Sequence, residues 1–167
     1  MKRKNKMVAL LPLTREQCQL ALKWRNQCRL TLRTPYYLTG EMQDKFYEDV
    51  ICNRNTPHRY YAIIDNDKFI GMGGLTNIEW ENGVAEISLI FDPLERNHGH
   101  GTEAVGLLLK EAFDNMRLAT VFAECYMCNQ AISFWKRLAD GYVILHRRKF
   151  WRGQFWDSIY CTFTKKE

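Results

Sequence analysis

Apolar positions in the first third of the chain recur at helical spacing, and from about residue 59 onward they fall in short runs of strand character. Val8 to Leu13 reads as a short strand. Thr14 followed three residues later by Gln17 is a capping-box signature, which predicts a helix to about Gln27 with Cys18, Ala21 and Leu22 on one side. Thr39 opens a second helix, where Met42, Phe46 and Val50 at four-residue spacing predict a core-facing stripe.

The period then changes. Tyr60 to Ile64 and Phe69 to Ile78 read as strands about an Asp65-Asn66-Asp67 turn, and Asn82-Gly83 turns the chain into a third strand, Val84 to Phe91. Together they predict an antiparallel meander. From Thr102 to Met116 the residues Val105, Leu108, Leu109, Ala112 and Met116 share one helical face. Val121 to Met127 is a strand, Ala131 to Leu138 a short helix broken by Gly141, and Tyr142 to Trp151 pairs with Phe155 to Phe163 around Arg152-Gly153. The order β-α-α-β-β-β-α-β-α-β-β predicts an α/β (α+β) fold. It has one mixed, mostly antiparallel sheet flanked by helices, a single domain over residues 8–167 behind a basic tail at 1–7.

Composition adds little beyond exclusions. A chain of 167 residues buries a core without staples. No apolar run approaches the roughly 18 residues of a membrane span, and Met7 to Leu11 before Pro12 is too short for a signal peptide. The expected location is cytoplasmic. The six cysteines, including the Cys125-x-x-Cys128 pair, are scattered through apolar segments and read as reduced thiols, with no metal site. The net charge of +5 owes four charges to Lys2, Arg3, Lys4 and Lys6, leaving 20 basic against 19 acidic residues, which argues against a nucleic-acid partner.

The segment Asp92-Pro93-Leu94-Glu95-Arg96-Asn97-His98-Gly99-His100-Gly101-Thr102 carries the chemistry. A strand stops, a loop with two glycines follows, and an amphipathic helix begins. Unpartnered N–H groups and the helix dipole make that start a site for phosphate or pyrophosphate. Gly99 and Gly101 let the backbone approach the oxygens. Arg96, and His98 or His100 when protonated, add charge from the rim. No Gly-Lys-Ser/Thr follows, so this is not a nucleotide P-loop. A preceding meander does not fit a dinucleotide fingerprint either.

With Arg96, Gly99 and Gly101 at its three fixed positions and Pro93 ahead of it, the loop resembles the pyrophosphate loop, Arg/Gln-x-x-Gly-x-Gly/Ala, of the GCN5-related N-acetyltransferase superfamily. The element order is similar from Val8 to Phe163. Asn129 to Tyr142 resembles the family's Asn-x-x-Ala-x-x-x-Tyr helix ending in Gly-Phe, and Arg152 to Asp157 the Gly-x-Tyr-x-Asp hairpin of its ribosomal-protein and spermidine branch. Trp24-Arg25-Asn26 resembles the amino-sugar-nucleotide enzymes. In two places the chain departs. Asn129 stands two residues before Ala131 where the usual spacing is three, and Trp135 replaces the Tyr that often protonates the departing thiolate.

The resemblance implies acetyl-CoA as cosubstrate, no metal, and transfer of an acetyl group to a primary amine by direct attack. The acceptor is an amino sugar or its nucleotide, a polyamine, or a protein N-terminus. The implied cofactor-binding residues are Ile90, Phe91, Arg96, Asn97, His98, Gly99, His100, Gly101, Thr102, Asn129 and Trp135, with a backbone amide of Ile90 or Phe91 holding the carbonyl oxygen. Glu86 shares a strand face with Ser88 and Ile90 and is the candidate base, with Asp92 and Glu124 as fallbacks. Solvent, Ser88 or Tyr126 is the candidate proton source for the thiolate. Trp24, Tyr36, Tyr37, Trp80 and Trp151 are candidates to line an acceptor cleft, and the basic run His146 to Arg152 reads either as an ordinary solvated hairpin face or as one that meets an anionic acceptor such as a nucleotide sugar or RNA-associated peptide. Dimers are frequent in the resembling branch, so a homodimer is among the expectations. The loss of the Tyr leaves open a non-catalytic acyl-CoA sensor or scaffold, and the basic hairpin and tail a third reading, an RNA binder.

Overall fold

The computed structural model describes residues 8–167. The basic tail read at 1–7 lies outside them. The elements follow the expected order: β1 (Val8–Leu11), α1 (Arg15–Cys28), α2 (Gly40–Phe46), β2 (Arg59–Asp65), β3 (Lys68–Glu79), β4 (Val84–Phe91), α3 (His100–Lys110), β5 (Thr120–Tyr126), α4 (Ile132–Leu138), β6 (Gly141–Trp151) and β7 (Gln154–Thr164). The strands form a seven-stranded sheet in the order β1-β2-β3-β4-β5-β7-β6. Among the described residues only β4 and β5 pair in parallel.

Local chemistry explains the turns that set this order. Asn66 and Asp67 both take positive φ (46° and 69°), the two-residue geometry whose twist suits a hairpin. The link after β3 is longer than the Asn82-Gly83 signal implies, occupying Trp80–Gly83. Gly83 sits at φ +66°, and its carbonyl accepts from the amides of Ala119 and Thr120. That carbonyl ties the end of the meander to the start of β5.

Alternation along the strands divides the core between two faces. Ala62, Ile64 and Met72 face α1, packing on Cys18, Ala21 and Trp24. Leu75, Ile87, Val121 and Ile159 face α3, packing on Val105 and Leu108. Thr14 caps α1 as expected, its Oγ1 accepting from Gln17 N while Gln17 Oε1 accepts from Thr14 N. The stripe expected on α2 is different. Met42 is exposed and Gln43 is buried, with Phe46, Tyr47 and Ile51 against the core. Gln43 Nε2 donates to the Cys18 carbonyl, so a polar side chain takes the inward position, and a π turn at Tyr47–Ile51 rotates the following residues. No helix among the described residues is long and apolar enough to cross a membrane.

Candidate active site

β4 and β5 pair only from Val84↔Thr120 to Glu86↔Phe122, although β4 runs on to Phe91 and β5 to Tyr126. Beyond Glu86 the two strands diverge, and each keeps a partner on its other side only, β3 and β7 respectively. The wedge between them opens a cavity of ≈ 380 Å³. Glu86, Ser88, Glu124, Tyr126, Asn129 and Trp135 all line it, which brings the candidate catalytic residues and two of the cofactor candidates together. Ile90 and Phe91 lie on the arm of β4 that pairs with β3 but not with β5, between this cavity and the glycine loop. Their side chains point to opposite faces, Ile90 toward the α1 cluster and Phe91 toward Ala104 of α3.

The loop leaves the start of α3 open. Asp92 Oδ1 accepts from Leu94 N and closes a 3₁₀ turn around Pro93, which spends the Asp92 carboxylate on structure. Asn97 and Gly99 take left-handed φ of 63° and 83°. Gly99 is the N-cap of α3, where no side-chain cap is made, in contrast to the Thr caps of α1 and α2. The first α3 bond runs from Glu103 N to the Gly99 carbonyl, so the N–H groups of Gly99, His100, Gly101 and Thr102 have no helical partner. Arg96, Asn97 and His98 are exposed around them.

Two loop residues differ from expectation. His100 is buried at 4% exposure rather than on the rim, with Nε2 3.1 Å from Asp65 Oδ2 and Nδ1 3.2 Å from the Glu95 carbonyl. It anchors the loop to the β2–β3 turn. A Cβ on Gly101 would lie 3.1 Å from the Phe134 ring, so that glycine serves the close packing of α4 on α3. Glu95, His98 and His100 bring ligand-type atoms within 4.8 Å of one another. Lys68 already pairs with Glu95 and both His100 nitrogens are engaged, so Glu95 and His100 fasten the loop.

A polar network crosses the wedge. Arg33 Nη2 donates to Glu86 Oε1 at 2.8 Å and reaches Glu124 Oε2 at 3.4 Å. The bond to Glu86 lifts the guanidinium's pKa above its ordinary value. Asn77 Nδ2 donates to Glu86 Oε2 at 3.0 Å, from a left-handed backbone (φ 48°) at a bulge in β3. Glu124 also accepts from Arg148 Nε at 2.9 Å and from Ser158 Oγ at 2.7 Å. Burial pulls the Glu124 pKa up, but Arg148 and Ser158 outweigh it and hold the carboxyl below its ordinary range. Glu124 is thus a fixed structural carboxylate, and Glu86 the candidate base nearer solvent, its side chain 12% exposed against 6%.

Arg33, Asn77 and Ser158 escape the sequence reading because none stands in a motif, and Arg148, read there only as part of a basic run, turns out to pair with Glu124. Arg33 lies in the irregular link after α1. Arg148 is delivered by a bulge, where His146, Arg147 and Arg148 of β6 stand opposite the single Asp157 of β7. Asp157 accepts from His146 Nδ1 and Arg147 N. The basic run is therefore no uniform solvated face. Lys149 is buried and donates to the Leu32 carbonyl, with burial lowering its pKa.

The aromatic candidates for the cleft are placed elsewhere. Trp24 is in the core, stacked on Phe69 at 5.3 Å. Tyr36, Tyr37 and Trp80 are exposed, and Trp151 packs on Trp156 in the hairpin. The rings that line the cavity are Tyr60, Tyr126 and Trp135. Asn129 Oδ1 accepts from Ala131 N at 2.9 Å, a two-residue turn that leads into α4 and explains its shortened spacing. All six cysteines are free, and burial pushes the Cys125 thiol up to about 12.

Comparison with known proteins agrees with this architecture. A family model described as an acetyltransferase (GNAT) domain matches residues 8–133. No curated protein matches the chain. Among solved structures, spermidine N-acetyltransferase from Vibrio cholerae in complex with CoA and spermine superposes with a TM-score of 0.82 at 18% identity, over 94% of this chain and 95% of that one. A single-residue mutant of the same enzyme gives 0.81 at 17% identity, over 94% and 93%. A dodecameric form of that enzyme gives 0.77 at 18%, over 94% and 93%. With the family matched over three quarters of its length, the chain belongs to the GNAT acetyltransferases and is an N-acetyltransferase drawing on acetyl-CoA.

Proposed function

We propose that the protein transfers the acetyl group of acetyl-CoA to a primary amine of a small molecule by direct attack in the wedge between β4 and β5. The observation that carries the reading is the coincidence of that wedge with an uncapped helix start behind a left-handed glycine. The free N–H groups of Gly99–Thr102 hold the pyrophosphate, with Arg96 beside them. The unpaired edge of β4 leaves an Ile90 or Phe91 amide to hold the thioester oxygen.

The amine enters as an ammonium and gives one proton to Glu86, directly or through one water. Its nitrogen then attacks the thioester carbon. A C–N bond forms, the C–S bond breaks, the coenzyme leaves as a thiolate, and the nitrogen sheds its second proton, which replaces the one the donor gives to the sulfur. Tyr126 and Ser88 both line the cavity. A phenol is the stronger acid of the two, so Tyr126 is the better proton donor to that sulfur. Trp135 stands in the cavity wall as a packing residue on Phe134 and Phe163.

The test is a thiol-release assay over a panel of amines with calorimetric titration of acetyl-CoA. Glu86→Gln is expected to lower kcat by roughly 10²-fold or more while leaving acetyl-CoA affinity within a few fold. Full activity in that variant removes Glu86 as base. Failure to bind acetyl-CoA overturns the reading of the loop. Binding with no release from any amine favours a sensor instead.

A further inference from the structure

Two arginines, Arg25 and Arg33, and two carboxylates, Glu86 and Glu124, line the wedge, but both carboxylates are already taken by cations other than Arg25. Glu86 and Glu124 are matched by Arg33 and Arg148. Arg25 remains. It projects from α1 into the same cavity wall, makes no ion pair among the described residues, and its Nη1 is buried with no hydrogen-bond partner. A guanidinium does not deprotonate in a protein, so the charge persists at a desolvation cost. Lys149 lies behind the Tyr126 ring and donates to the Leu32 carbonyl, so no carboxylate pairs with it among the described residues.

The neighbours of Arg25 in the cavity wall are donors too. His58 Nδ1 accepts from Asn77 N at 3.2 Å, which leaves Nε2 as the ring's donor nitrogen. The Tyr60 phenol is pushed up to about 12 by burial and stays protonated, while Glu86 raises it and Arg25 lowers it. Tyr60 thus feels the candidate base and the unpaired guanidinium together. A bound anion beside Arg25 would supply the missing acceptor, whereas a polyamine would bring more cations to carboxylates already taken.

We propose, building on the transferase reading above, that the acceptor is a primary amine carrying a carboxylate or phosphate, and that this anion docks on Arg25 with His58 and Tyr60. The volume of ≈ 380 Å³ suits a small molecule of this kind. Arg25 is an acceptor-binding residue and takes no part in bond making.

Matched pairs of acceptors test this at saturating acetyl-CoA: an amino sugar phosphate against the free amino sugar, and an amino acid against its amide. The expected result is a kcat/KM at least about tenfold higher for the anionic member of one pair, which also tells phosphate from carboxylate. Arg25→Gln should abolish that ratio and Arg25→Lys restore part of it. Inorganic phosphate should compete with the acceptor in the parent protein and not in Arg25→Gln. The KM for acetyl-CoA in each variant reports whether the fold survives, and if Arg25→Gln does not fold the parent ratio decides. Neutral amines or spermidine used as well as the anionic members overturn the inference and leave the transferase standing. Release from no amine overturns both.

Discussion

Single side chains in the wedge divide into those that hold it open and those free to react. Glu124 belongs to the first group, with Arg148, Ser158 and Arg33 on its two oxygens. Its folded pKa is depressed, so its stabilising contribution is complete above the unfolded value of about 4.3 and is lost as pH falls through the lower folded value. Glu124→Gln should therefore be less stable than the parent at pH 7, by roughly 1–3 kcal/mol. The gap between the two should close as pH falls from 6 toward 3. Urea unfolding midpoints across that range read it directly, and a gap that stays constant means Glu124 contributes by shape alone.

At the scale of elements, two helix starts contrast. Thr14 closes α1 with a side-chain cap, whereas α3 begins at Gly99 with its amides left free. Thr14→Ala should cost about 1 kcal/mol of stability and leave acetyl-CoA affinity unaltered. Gly99→Ala, forced to φ 83°, should cost roughly 1–2 kcal/mol and also weaken acetyl-CoA binding, because its amide is one of the four. Thermal unfolding and calorimetry on both variants separate the two roles. These starts were legible in the sequence, since a cap and a glycine loop are local signals. The meander and hairpin were legible from alternation. The α2 stripe was not, because Gln43 pairs with a backbone carbonyl of α1 and a π turn breaks the period. Nor was the Arg33–Glu86 pair, whose members lie 53 residues apart and meet only through the fold.

For the whole molecule, the wedge leaves one edge each of β4 and β5 without a strand partner, at the place proposed above for the cosubstrate. A ligand that binds only the folded form stabilises it by mass action, about 2.7 kcal/mol at a hundred times Kd. For a chain of 167 residues that raises Tm by roughly 5–11 °C, which differential scanning fluorimetry with acetyl-CoA measures. Desulfo-CoA, which carries the pyrophosphate without a reacting thioester, should give much of the same rise, and its failure would put the binding energy at the thioester end. The bulge opposite Asp157 has a different kind of consequence. Three residues of β6 face one of β7 there, and beyond them Lys149 turns inward. Side chains alternate along a strand, so loss or gain of one residue in that stretch would reverse every side chain past it. The hairpin is therefore tolerant of changes in letter and intolerant of changes in length, and relatives that share this cavity should show substitutions at His146 and Arg147 but no gaps.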